Sequence, residues 1–164
     1  MKRVHFVPLL LLFGGCSTTP MISSSEMAAV APRLSVERFL QACNQRDLHA
    51  MAGLFGTADG PILETGGTFG CAFKKMGSWI GLGDRCRTLQ EVELQMDAIS
   101  EILRHEDYTI MTDARVPGRD DPTTRVGVNL LINGRDVPDI PFLVVRTGEG
   151  RWLVEHVDLE KVMR

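Results

Sequence analysis

The sequence predicts an α+β fold, with helices first and an antiparallel meander last, on the strength of three observations. Apolar residues recur at spacings of three and four as far as Leu103, which is the period of a half-buried helix. After His105 the period changes to two, the signature of strands with one buried face. Asn133-Gly134 falls between two of the later apolar runs, where this dipeptide favours a two-residue hairpin turn.

The chain begins with Lys2 and Arg3, continues through a mostly apolar run over residues 4–13, and reaches Gly14 and Gly15 just before Cys16. That order of charge, apolar run and small residues is that of a cleavable export signal. Ten positions interrupted by His5 and Pro8 are too few to cross a bilayer, which takes about 20 apolar residues. The stretch "LFGGC" resembles a bacterial lipoprotein signal, in which cleavage precedes a cysteine that carries diacylglycerol. The resemblance implies residues 1–15 as signal peptide, Cys16 as the lipidation site and membrane attachment through that lipid. Anchoring by more than one acyl chain is effectively stable, since each buried methylene contributes about 0.8 kcal/mol. Ser17 rather than Asp after the cysteine implies, by the same likeness, sorting to the periplasmic face of an outer membrane. Residues 16–33 are then a lipidated cysteine and a small, polar, aperiodic tether reaching roughly 20 Å as a random coil.

Without the signal the chain keeps 16 basic and 21 acidic residues, a net charge of −5. This argues against nucleic acid as a partner. Residues 34–164 are one domain's worth of chain, long enough to bury its own core. In an exported protein the three cysteines beyond Cys16 can be oxidised, and they allow three pairings that sequence leaves open. Cys43 lies on a helical apolar stripe and is expected to be a small buried hydrophobe. Cys71 and Cys86 flank the glycine-rich "CAFKKMGSWIGLGDRC", and a disulfide there would stabilise by about 3 kcal/mol in the chain-entropy model.

Within the domain, Ser35 is expected to cap a first helix carrying Val36, Phe39, Leu40 and Cys43 and ending near Gln45, with Leu34 stapling to Phe39. Asp47 is expected to cap a second helix with Leu48, Met51, Leu54 and Phe55, stopped at Gly56. Thr88 and Glu91 form a capping box ahead of Leu89, Val92, Met96, Ile99 and Leu103, the clearest helix in the chain. Strands follow at residues 108–116, closed by "PGRDDP", and at 126–132, closed by Asn133-Gly134. "PFLVVR" and "RWLVEHVDL" are two more, joined around Gly148 and Gly150.

With these elements in order, "VERFLQACNQRDLHAMAGLF" and the ending "VPDIPFLVVRTGEGRWLVEHVDL" resemble the nuclear transport factor two-like superfamily. The Asn-x-x-Asp-Leu turn at Asn44, Asp47 and Leu48 and the Gly-Arg-Trp-Leu-Val of residues 150–154 carry most of the likeness. It implies three helices packed on a bent sheet that closes into a cone, and frequent homodimerisation through the sheet. The glycine-rich insert over residues 64–87 stands where that superfamily runs a short strand.

The resemblance directs attention to polar groups that could line the cone. Strict alternation places Trp152, Val154, His156 and Asp158 on one face of the last strand and Leu153 and Val157 on the other. With Tyr108 and Trp79, the residues Trp152, Val154 and His156 are the candidate ligand pocket, suited to a small apolar ligand. His156, Tyr108 and Asp47 are the candidate catalytic groups should the cone house an isomerase or hydro-lyase, because a His in an apolar pocket is a tunable base. Each also has a structural reading: His156 as a solvated rim residue, Tyr108 as a half-buried strand aromatic, Asp47 as a helix cap. Arg115, Arg119 and Arg125 flank the hairpin tip as a small anion-attracting patch, or as ion-pair partners of Asp120 and Asp121. The motifs of serine hydrolases, zinc proteases, redox dithiols and phosphate loops are missing, so no metal site and no cofactor is expected. The expectation is a non-enzymatic, lipid-anchored binding or scaffold domain, with an isomerase or hydro-lyase as the alternative.

Overall fold

The computed structural model describes residues 32–65 and 88–164. The expected signal peptide, Cys16, Trp79, and Cys71 and Cys86 with the disulfide considered between them lie outside the described residues. Helix α1 (Pro32–Gln45) packs with α2 (Leu48–Leu54), and a small hairpin of β1 (Gly56–Thr57) and β2 (Gly60–Pro61) leads to the single turn α3 (Ile62–Thr65). Helix α4 (Leu89–Ile102) precedes β3 (Asp107–Arg115), β4 (Thr123–Ile132), β5 (Arg135–Arg146), β6 (Trp152–Val157) and a last turn, α5 (Leu159–Met163). The four long strands form one antiparallel sheet in the order β3-β4-β5-β6. The fold is therefore α+β, as the change of period predicts.

Helix α1 starts three residues before the expected cap. Pro32 opens it, since proline's fixed φ suits a first turn whose N–H groups have no helical partner anyway. Ser35 is consequently not a cap but a buried helical residue, and its hydroxyl donates to the Trp152 carbonyl at 2.8 Å, tying α1 to β6. At the other end Arg46 adopts φ 51°, the Asp47 N–H bonds the Ala42 carbonyl and the Arg46 N–H bonds that of Cys43. This left-handed closure usually employs glycine. Asp47 then caps α2, accepting from the Ala50 N–H at 2.9 Å. The Thr88–Glu91 capping box forms as expected, with Thr88 Oγ1 accepting from the Glu91 N–H and the Glu91 carboxylate accepting from the Thr88 N–H.

Three bulges bend the sheet's alternation. An extra residue stands at Met111 in β3, at Pro138–Asp139 in β5 and at Glu155 in β6. Val154 and Val157, three residues apart, consequently both enter the core, as do Val137 and Ile140. The expectation that Trp152, Val154 and His156 share a face fails for this reason: Glu155 shifts the pleat, Trp152 and Val154 face the helices, and Leu153 and His156 face away. In β5 the left-handed Asp139 (φ 49°) is held by the side chain of Asn129, whose Oδ1 accepts the Asp139 N–H at 2.8 Å. This bulge carries one strand through Pro138, so β5 begins at Arg135, well before "PFLVVR". Asn133 and Gly134 turn the β4–β5 hairpin with φ 52° and 71°, the signs a type I′ turn requires. Asp158 ends β6 by capping α5, a helix the periodicity did not announce.

The core lies between α1, α2 and α4 and one face of the sheet. Phe39, Leu40, Met51, Met96 and Leu103 from the helical side meet Leu130, Ile140 and Phe142 from the strands, all fully buried. Leu89, expected on the buried stripe, is 56% exposed in the first turn of α4. Along β3 the Tyr108 N–H is taken by the Asp107 carboxylate at 2.9 Å, and the Ile110 carbonyl accepts from Arg33 Nη2 at 3.4 Å.

Candidate functional site

Tyr108 and His156 do not meet. Tyr108 pairs with Leu130 on the face toward the helices, whereas His156 pairs with Leu143 on the opposite face. They also occupy the two outer strands of the sheet, separated by three strand spacings of about 4.8 Å each. Val154 is fully buried, and Trp152 is half-buried with its carbonyl engaged by Ser35. Asp47 spends its carboxylate on α2. Of the residues singled out for a pocket, Trp152, Val154 and Tyr108 thus share the core face, His156 stands in solvent on the other, and Trp79 lies outside the described residues.

Among the described residues, Asn44 and His105 form a polar cluster that sequence reasoning did not bring together. His105, 8% exposed, sits between α4 and β3. Its Nδ1 lies 2.8 Å from the Leu103 carbonyl, which can only accept, so Nδ1 carries the proton. Nε2 is then an acceptor, and Asn44 Nδ2 lies 3.2 Å from it. The same Asn44 amide donates to the His105 carbonyl at 3.0 Å and accepts from the His105 N–H at 3.1 Å, which fixes its orientation. The Tyr108 ring packs edge-on against the imidazole, with centroids 5.5 Å apart at 89°. Both ring nitrogens are committed to this knot, so His105 serves to latch the end of α1 to the α4–β3 corner. Asn44 stood in the sequence only as part of the Asn-x-x-Asp-Leu turn; its clue was an amide side chain at a helix end, where free carbonyls and a following corner need partners.

Buried Cys43 is a free thiol, pushed up to about 12 by its burial and so inert as a nucleophile. Among the described residues no three His, Cys, Asp or Glu side chains group to hold a metal ion. No described helix is long and apolar enough to cross a membrane.

On the outer side of the sheet the arginines sort into paired and unpaired. Arg119 donates to both oxygens of Glu155 at 2.8 and 2.7 Å, and Arg125 to both of Asp139 at 2.9 Å. The acids at the hairpin tip, Asp120 and Asp121, are thus not their partners, because Glu155 and Asp139 come closer across the folded sheet. Arg125 beside Asp139 holds that carboxyl below its ordinary range. A hollow of about 440 Å³ opens at the β3–β4 hairpin, lined among the described residues by Arg115, Val116, Pro117, Gly118 and Arg119.

No family model, no curated protein and no solved structure matches this chain.

Proposed function

We propose that this chain is a lipid-anchored, extracytoplasmic binding or scaffold domain of nuclear transport factor two-like architecture. It is tied through Cys16 to the periplasmic face of the outer membrane and acts without catalysis. The observation that carries the reading is the content of the space between helices and sheet. Where a ligand-binding cone would hold a cavity, Phe39, Leu40, Met51, Met96, Leu130, Ile140 and Phe142 are packed against one another without exposure. A base and a donor for proton transfer need to reach one substrate atom within hydrogen-bond distance. Tyr108 and His156 face opposite sides of the sheet, and Asp47 is committed as a cap. Recognition then takes place on the outside of the fold, by a soluble ligand or a protein partner, a second copy of the chain docked through the sheet included.

The test has two arms on the full-length protein. Fractionation and mass analysis should find wild type in the membrane fraction with the mass of a diacylated Cys16, and Cys16→Ser in the soluble fraction without it. Native mass spectrometry should find the purified chain free of a stoichiometric apolar molecule. A Cys16→Ser protein that still partitions with membranes overturns the anchor, and a retained apolar ligand lost on Phe142→Ala overturns the filled cone.

A further inference from the structure

We propose that the hollow at the β3–β4 hairpin is a binding site for a small monocarboxylate, with Arg115 as its anchor. The proposal supplies a ligand class to the surface-binding reading above and rests on it. Arg119 and Arg125 are each neutralised by a carboxylate held through two bonds. Arg115 lines the hollow and has neither an ion pair nor a side-chain hydrogen bond among the described residues. A guanidinium offers five donors in a planar fork that matches a carboxylate, and in Arg115 that fork is left open.

The surroundings narrow the choice of anion. Glu155 beside Arg119, and Asp120 and Asp121 next along the loop, are negative, so one free guanidinium can balance one charge but not two. That disfavours a phosphate dianion and fits a single carboxylate. Val116 and Pro117 supply an apolar wall for a short hydrocarbon body, and about 440 Å³ is within the range of small-molecule sites. The floor is held in place: Arg115 is in register with Thr124, the Val116 N–H bonds the Thr123 carbonyl at 2.8 Å, and Gly118 turns the chain with φ 75°. Arg119 is fixed as the far wall by Glu155 on β6. The hollow therefore exists before the ligand arrives, which lowers the cost of binding.

The experiment titrates the purified full-length protein with butyrate while following the amide resonances of Gly118 and Arg119. Butyramide, of the same shape without charge, and inorganic phosphate are titrated in parallel. Butyrate should shift both amides saturably, with butyramide and phosphate each at least about tenfold weaker. Arg115→Gln should weaken butyrate by about tenfold or more, the loss expected when a charge-assisted hydrogen bond is removed. Arg125→Gln, at a pair outside the hollow, should leave it unchanged. Unmoved hairpin amides, equal affinity in Arg115→Gln with an unchanged melting temperature, or phosphate binding as tightly as butyrate each overturn the site. Because neither Cys16 nor the core takes part, such a failure is separable from failure of the anchor or of the filled cone.

Discussion

Replacing Asn44 by alanine removes three hydrogen bonds from one corner of the fold. The amide serves the His105 N–H at 3.1 Å, the His105 carbonyl at 3.0 Å and the ring Nε2 at 3.2 Å. A protein hydrogen bond contributes about 1 kcal/mol net, and a buried group left without a partner costs about 1–3 kcal/mol. Asn44 itself is exposed, so water can enter and satisfy part of what is lost, whereas His105 is 8% exposed. The expected loss is about 2–4 kcal/mol, roughly 6–16 °C in melting temperature for a domain of this size. Urea unfolding followed by circular dichroism measures it as a lower midpoint at unchanged slope. His105→Phe keeps the ring's packing on Tyr108 and both backbone bonds to Asn44, so it should cost less, about 1–2 kcal/mol. An Asn44→Ala loss below about 0.5 kcal/mol, or a His105→Phe loss larger than that of Asn44→Ala, would refute the latch.

Three further outcomes are expected. Phe142→Ala should destabilise by about 3–5 kcal/mol in the same unfolding assay, because the ring is fully buried against the helices and its removal leaves a void. Cys43 should resist iodoacetamide at pH 8 in the native protein and react after urea is added, since burial both hides the thiol and raises it to about 12. Asp139 is held below the usual carboxylate range by Arg125, so its contribution is complete at neutral pH and is lost as the solution is acidified through the folded-state titration. The pair is solvent-exposed, so the difference between wild type and Asp139→Asn should stay within about 1 kcal/mol at pH 7, shrink in high salt and vanish at low pH in pH-dependent melting curves.

Most of the architecture was legible because each element declares itself locally. The change of apolar period at His105, the capping box at Thr88 and the Asn133-Gly134 turn are decisions taken within a few residues, and each appears in the fold. The bulges were not legible, since an extra residue in one strand is set by its partner across the ladder. Nothing near Glu155 signals it, yet it decides that His156 points away from the core while Val154 and Val157 point in. Ser35 misled for a related reason: a residue that caps helices well is equally suited to donate to a distant carbonyl, and only the approach of Trp152 separates the two uses. The partners of Arg119 and Arg125 were not legible, because proximity along the chain offers only Asp120 and Asp121, while folding brings Glu155 and Asp139 closer. The His105 knot joins residues 61 apart in sequence, beyond the reach of any local pattern.

The side chains engaged along β3 bear on how the protein survives crowding. Among the described residues β3 is an outer strand of nine residues, the kind of surface on which a neighbouring molecule can add a strand of its own, the first step toward a fibre. A newcomer would have to evict the Asp107 carboxylate from the Tyr108 amide and the Arg33 guanidinium from the Ile110 carbonyl, and then fit a partner around the irregular step at Met111. Two charged groups and one surplus residue thus keep many copies in close company from zipping together.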